Sequence, residues 1–119
     1  GNYNTKDGTC IRDFIHVSDI ADLHFKILKK INKLNVSKIL NCGYGKGISV
    51  YDTINEFSKY ANKNLKIVNL SKRKGDMMKV ICDNQKLKNF INWKPKYNRL
   101  NKIVKSCIMW EKKIFNEKL

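Results

Sequence analysis

The sequence predicts an α/β fold in a single domain. Segments with apolar residues at helical spacing alternate with short, extended apolar runs. A glycine-rich turn, Gly43-Tyr44-Gly45-Lys46-Gly47, joins one such run to a helix-opening pattern. The length, 119 residues with 42 % hydrophobic and 29 % charged residues, fits one folded unit and argues against disorder.

Residues 1–10 read as a loop containing a turn at Asp7-Gly8, and Ile11 to Val17 as an extended segment. A helix follows, capped by Ser18 or Asp19, with Asp19 and Asp22 in the first turn, where the helix dipole favours anions. Its buried stripe is predicted as Ile20, Leu23, Ile27, Leu28, Ile31 and Leu34, and Lys29, Lys30 and Lys33 fall at its cation-favouring end. Ile39-Leu40-Asn41-Cys42 reads as a short buried strand. Beyond the glycine turn, Ser49-x-x-Asp52 is a capping-box pattern, opening a helix with Val50, Ile54, Phe57 and Ala61 inward.

Leu65 to Leu70 alternates and reads as a second strand; Ser71 to Lys79 is a polar, basic loop. Val80-Ile81-Cys82 reads as a short strand, with Asp83 capping a helix over 84–90. Pro95, in Trp93-Lys94-Pro95, breaks the chain. Asn98 is expected to cap a long last helix with Leu100, Ile103, Val104, Cys107, Ile108 and Ile114 on one side.

The formal net charge is +15. One reading is a small basic module that binds nucleic acid or another polyanion. The charge, however, comes from 22 lysines and three arginines spread along the whole chain. Lys, Asn and Ile crowd the sequence together, as A/T-rich codons would produce. A nucleic-acid surface more often clusters arginine, so nucleic acid ranks below a composition bias. No apolar run approaches the roughly 20 residues of a membrane span, and no leader-like segment opens the chain. The four cysteines, at 10, 42, 82 and 107, form no Cys-x-x-Cys pair, so zinc has little support and no metal site is expected. Reduced thiols in a cytoplasm are the expectation.

The glycine turn resembles a dinucleotide turn but lacks the G-x-G-x-x-G spacing, and no Walker spacing is present. A strand-to-helix turn needing positive φ is the preferred reading. His16, between Ile15 and Val17, reads as a structural histidine, and His24 as a surface residue. The arginines are more informative, because a chain this rich in lysine keeps arginine where a planar fork matters. Arg12 lies in the charged run Asp7 to Asp19, and Arg73 in Lys72-Arg73-Lys74-Gly75-Asp76. Two arginines from distant loops can clamp one diphosphate; the competing reading pairs Arg12 with Asp13 or Asp7, and Arg73 with Asp76. Arg99 reads as structural.

The segment "DGTCIRDFIHVSDIADLH" resembles a signature of the UDP-glucose 4-epimerases, in the extended short-chain dehydrogenase/reductase superfamily. "LNCGYGKGISVYDTINEFSK", "RKGD" and "CDNQKLKNFINWKPKYNRL" follow in the family's order, so that the resemblance runs from Tyr3 to about Trp110. It implies that residues 1–119 are one C-terminal, substrate-binding portion of such an enzyme, carrying part of the Rossmann sheet. The family's NAD fingerprint and Tyr-x-x-x-Lys pair occur nowhere in the sequence. NAD is therefore expected in the parent enzyme and not on this chain, which contributes no catalytic residue and is inactive alone.

The resemblance assigns Arg12 and Arg73 to the substrate diphosphate and Asp76 to the ribose of UDP. Asp13, His16 and Asp19 match the motif as structural residues. Where the family often places a tyrosine after R-x-G-D, this chain has Val80. The implied parent reaction interconverts UDP-glucose and UDP-galactose by reversible hydride transfer; a different nucleotide-sugar epimerase or a 4,6-dehydratase is the nearest alternative. The expected partners are a UDP-sugar, the N-terminal Rossmann portion and a second copy joined through exposed strand edges.

Overall fold

A computed structural model describes residues 3–31 and 37–117. Its first element, β1 (Ile11–Arg12), is followed by α1 (Val17–Ile31), β2 (Ile48–Ser49), α2 (Val50–Ala61), β3 (Lys79–Val80), α3 (Gln85–Phe90) and α4 (Leu100–Glu117). The α/β class is thus realised, with strands shorter than the sequence suggests.

β1 is the middle strand of a three-stranded sheet, ordered β2-β1-β3. It pairs antiparallel with β2, Ile11 opposite Ser49 and Arg12 opposite Ile48. It pairs parallel with β3, Ile11 opposite Lys79 and Arg12 opposite Val80. This small sheet brings the beginning, middle and later part of the chain together at Arg12.

Four expectations need correction. The extended segment 11–17 is a strand only at its first two residues, because Asp13 to His16 turn away from the ladder and bond through side chains instead. Ile39 to Cys42 is not a strand, and Ile39 is 82 % exposed. Leu65 to Leu70 is not a strand either, and all six residues are exposed. Both segments have strand-like sequences, but no neighbouring backbone bonds them in a ladder among the described residues, and a strand exists only by pairing. The strand expected at 80–82 lies at Lys79–Val80, where β1 sets the register.

The helices follow their signals more closely. Ser49 caps α2, its hydroxyl accepting the Asp52 N–H at 2.9 Å. Asn62, in the left-handed conformation, closes it. In α1, Leu23 is buried and Ile20 and Ile27 are partly covered, whereas Leu28 and Ile31 of the expected stripe are exposed. Leu34 and Lys33 lie outside the described residues. The Asp83 carboxylate accepts the Gln85 N–H at the start of α3, although Asn84 occupies the cap position. α4 starts at Leu100, the Arg99 carbonyl accepting the N–H groups of Lys102 and Ile103. Val104 is fully buried where α4 packs on α2, but Cys107 is exposed.

The main core gathers Leu23, Leu87, Ile91 and Trp93, with Ile15, Ile27, Leu40, Cys42, Tyr44 and Phe90 packed around them. It ties α1 to α3 and leaves the sheet, with Arg12 at its centre, facing the loop that carries Arg73.

Candidate functional site

Of the three residues singled out in the sequence, the two arginines converge on the carboxylate of the third, Asp76. The Arg12 guanidinium donates from Nη2 to Asp76 Oδ1 at 2.6 Å. Arg73 reaches Asp76 Oδ2 at a longer 3.5 Å. Both terminal nitrogens of Arg12 are engaged, since its Nη1 donates to the Ile11 carbonyl at 2.9 Å. Its side chain is 27 % exposed, against 86 % for Arg73. One arginine is therefore fixed and the other extends into solvent. The sequence-level ion-pair reading is half right: Arg73 does meet Asp76, but Arg12 pairs with Asp76 and not with Asp13 or Asp7.

The turn carrying Arg73 is built by Gly75 at φ 82°, a left-handed conformation suited to glycine. The Asp76 N–H closes it on the Arg73 carbonyl at 3.2 Å. Two further residues, which sequence reasoning did not select, complete the cluster. The Tyr3 hydroxyl donates to Asp76 Oδ2 at 2.8 Å. The buried Cys10 thiol lies 3.7 Å from the same oxygen. No local pattern could have found Tyr3, which is 73 residues from its partner. The hydrogen bond from Tyr3, then the positive charges of Arg12 and Arg73, hold the Asp76 carboxyl below the usual carboxylate range against the opposing effect of desolvation. Hydrogen bonding with Cys10, and then with Asp76, raises the Tyr3 phenol, so it stays protonated as a donor.

Beside this cluster lies a cleft of about 1150 Å³. Its walls include Tyr3, Thr9, Tyr51, Ile54, Arg73 and Asp76. Lys72 adds a further cation to the rim, its Nζ 4.7 Å from the centre of the Tyr3 ring. The cleft wall offers the Arg73 guanidinium and the Lys72 ammonium beside aromatic and apolar parts, while Arg12 is not among its lining residues and reaches it only through Asp76. Such a surface suits an anionic group attached to a less polar body.

The remaining motif residues hold the loops that present Arg12. Asp13 accepts the N–H groups of Tyr44, Gly45 and Cys82 at 3.2, 2.8 and 3.3 Å. That grip explains the glycine turn. A Cβ on Gly43 would stand 2.7 Å from Asp13 Oδ2, and Gly45 has φ +69°. His16 is buried, accepts the Ser18 N–H at Nδ1 and stacks on Tyr97 at 4.3 Å. Asp19, only 1 % exposed, accepts the Tyr44 hydroxyl and the N–H groups of Lys96 and Tyr97. It is a buried tie between α1 and the loop before α4, beyond its expected part in helix initiation. Burial pushes its pKa up, but the bonds from Tyr44 and the two backbone N–H groups outweigh that and hold it low.

No cluster of three or more metal-ligating side chains is present among the described residues. Among them, no helix is long and apolar enough to cross a membrane.

This fold and this set of loops recur in known proteins. Residues 3–43 match the NAD dependent epimerase/dehydratase family. A UDP-glucose 4-epimerase of Azospirillum brasilense is 35 % identical over 95 % of this chain and 32 % of its own length. The solved UDP-Glc/GlcNAc 4-epimerase of Campylobacter jejuni matches with a TM-score of 0.83 and 44 % identity, covering 94 % of this chain and 34 % of that one. A UDP-glucose 4-epimerase of Stenotrophomonas maltophila, solved with NAD and formylated UDP-arabinopyranose, matches with a TM-score of 0.90 and 28 % identity, covering 98 % and 34 %.

Residues 3–43 thus carry the epimerase/dehydratase match, and along nearly its whole length the chain is similar to part of the nucleotide-sugar 4-epimerases. More narrowly, it is similar to the C-terminal part of UDP-glucose 4-epimerases, and it spans about a third of the length of the relatives it matches.

Proposed function

We propose that this chain is the UDP-sugar-binding portion of a nucleotide-sugar 4-epimerase, with Arg12 and Arg73 as a clamp for the diphosphate and Asp76 facing the ribose. The observation that carries this reading is the meeting of Arg12 and Arg73 on one carboxylate at the cleft, although 61 residues separate the two arginines. An ion pair alone would not need a second, solvent-extended guanidinium. A diphosphate with several anionic oxygens uses both. Arg73, held loosely at 3.5 Å, can transfer from Asp76 to a phosphate at low cost.

The catalytic steps belong to groups that this sequence does not contain. NAD and a Tyr-x-x-x-Lys pair supply hydride and proton transfer in the family, and the chain holds neither motif. Its own role is to anchor the nucleotide while the sugar turns. UDP-glucose and UDP-galactose are the preferred sugars, and the Rossmann portion of an epimerase is the preferred protein partner. A second copy is the partner for the exposed apolar segments at Ile39 and at Ile67 to Leu70. The four free cysteines accord with a cytoplasmic setting.

Isothermal titration of the chain with UDP-glucose tests the reading. Saturable binding that UDP competes for, and that Arg12→Ala and Arg73→Ala each weaken, is the expected result. Binding of oligonucleotides that depends on lysines and ignores both arginines and UDP would replace it with a polyanion-binding role.

A further inference from the structure

We infer that Tyr3 is a positioning residue for the two-arginine anion site: its hydroxyl fixes Asp76 so that Asp76 locks Arg12 and leaves Arg73 free to engage a ligand. The inference rests on the diphosphate reading given above and assigns it a residue that the sequence did not mark.

The two oxygens of Asp76 have different duties. Oδ1 receives Arg12 at 2.6 Å. Oδ2 receives Tyr3 at 2.8 Å, with Cys10 and Arg73 farther away at 3.7 and 3.5 Å. A carboxylate held only by Arg12 could rotate about its own side chain and offer either oxygen to either arginine. The Tyr3 bond removes that freedom. It occupies Oδ2 with a neutral donor, which turns Oδ1 toward Arg12 and leaves only a weak, long contact for Arg73. A second cation in place of Tyr3 would compete for the carboxylate; a phenol orients it without adding charge.

Tyr3 is itself held in place. Its N–H donates to the Gly8 carbonyl at 3.2 Å, and its carbonyl accepts the Thr5 N–H at 2.8 Å. Gly8, at φ 74°, returns its own N–H to the Thr5 carbonyl. The turn at residues 3–8 thus presents one phenol to a carboxylate far away in sequence. Lys72 rests against the Tyr3 ring, so the same side chain also orders the basic loop beside Arg73.

The experiment is a double-mutant cycle on the full chain, with UDP-glucose as the probe and calorimetry as the readout. Arg12→Ala is expected to weaken binding by roughly tenfold or more, the scale of a hydrogen bond to a charged group. Tyr3→Phe is expected to weaken it about threefold to tenfold, the scale of one neutral hydrogen bond. In the Arg12→Ala background Tyr3→Phe is expected to change affinity by less than about twofold, because the residue it acts through is gone. Fully additive losses would overturn the inference while leaving the diphosphate reading intact. An Arg12→Ala chain that binds as tightly as the unaltered one would remove both.

A second measurement does not depend on ligand affinity. The Asp76 carboxyl carbon, followed by NMR, is expected to titrate at higher pH in Tyr3→Phe than in the unaltered chain. A merely structural tyrosine would lower thermal stability and leave that midpoint in place, which would overturn the inference even if the chain bound no nucleotide.

Discussion

Arg12 and Asp76 stand 64 residues apart in sequence and 2.6 Å apart in space. Their contact closes the small sheet, because Arg12 belongs to the middle strand and Asp76 to the turn that leads into β3. The pair joins the candidate site to the fold: whatever opens it disturbs both.

The two arginines are expected to differ in a measurable way. Arg73→Ala should weaken UDP-glucose binding with little change in thermal stability, since the side chain is 86 % exposed and its ion pair is long. Arg12→Ala should lower both, because the guanidinium also binds the Ile11 carbonyl within the sheet. Melting curves and calorimetry on the two variants separate them. Equal loss of melting temperature in both would contradict the fixed-arm and free-arm assignment.

The acid limb of stability should report Asp19 and Asp76. Both carboxyls are held below their usual range in the folded chain. A depressed carboxyl contributes stability that is fully present above its unfolded pKa of roughly 4, and that is lost as pH falls through the folded value. Unfolding free energy from these groups should therefore be flat between about pH 5 and 7 and decline below about pH 4. Asp19→Asn should flatten that decline. It should also cost about 2 kcal/mol or more at neutral pH, because an amide cannot accept from two backbone N–H groups and the Tyr44 hydroxyl as a carboxylate does. Urea titrations across pH measure both effects, and an unchanged acid slope would count against the assignment.

Gly43 and Gly75 should respond differently to alanine. At Gly43 the added methyl meets Asp13 and the Cys82 side chain, and relief requires Asp13 to release the glycine turn. A loss of about 1–3 kcal/mol is expected there. At Gly75 no atom lies within 4 Å, and only the left-handed backbone opposes the change. A loss near 1 kcal/mol is expected, with weaker nucleotide binding as the Arg73 turn loosens. Comparable denaturation midpoints for the two variants would refute the steric argument.

The purified chain should not interconvert UDP-glucose and UDP-galactose, with or without added NAD, in a coupled assay. Turnover by this chain alone would mean that other residues do the work of the family's tyrosine and lysine. In light scattering the chain should be larger than a monomer, given Ile39, Val68 and Leu70 at 82, 67 and 76 % exposure. A monodisperse monomer would argue against association through those segments.

The helices were legible because their signals are local. Ser49 and Asp52 lie within one turn of each other, and the spacing of Leu23 and Ile27 needs no distant partner to be recognised. Arg12, Arg73 and Asp76 were legible for another reason: arginine is rare in a chain crowded with lysine, and the RKGD turn is compact. The apolar segments at 39–42 and 65–70 misled, because alternation describes what a strand's side chains look like and not whether a neighbour exists to bond its backbone.

By itself, then, the sequence determined the α/β class, the start of α2 at Ser49 and the resemblance to the 4-epimerases. Only the tertiary structure decided that both arginines meet one carboxylate, that Arg12 is the fixed arm, and that Tyr3 holds the carboxylate in place. It also decided that Asp19 is buried beneath the loop at Lys96 and Tyr97. Helical spacing and caps act within a few residues, where sequence order implies proximity. Ion pairs and buried carboxylates join residues whose separation in sequence says nothing about distance, so the folded chain alone selects which opposite charges meet.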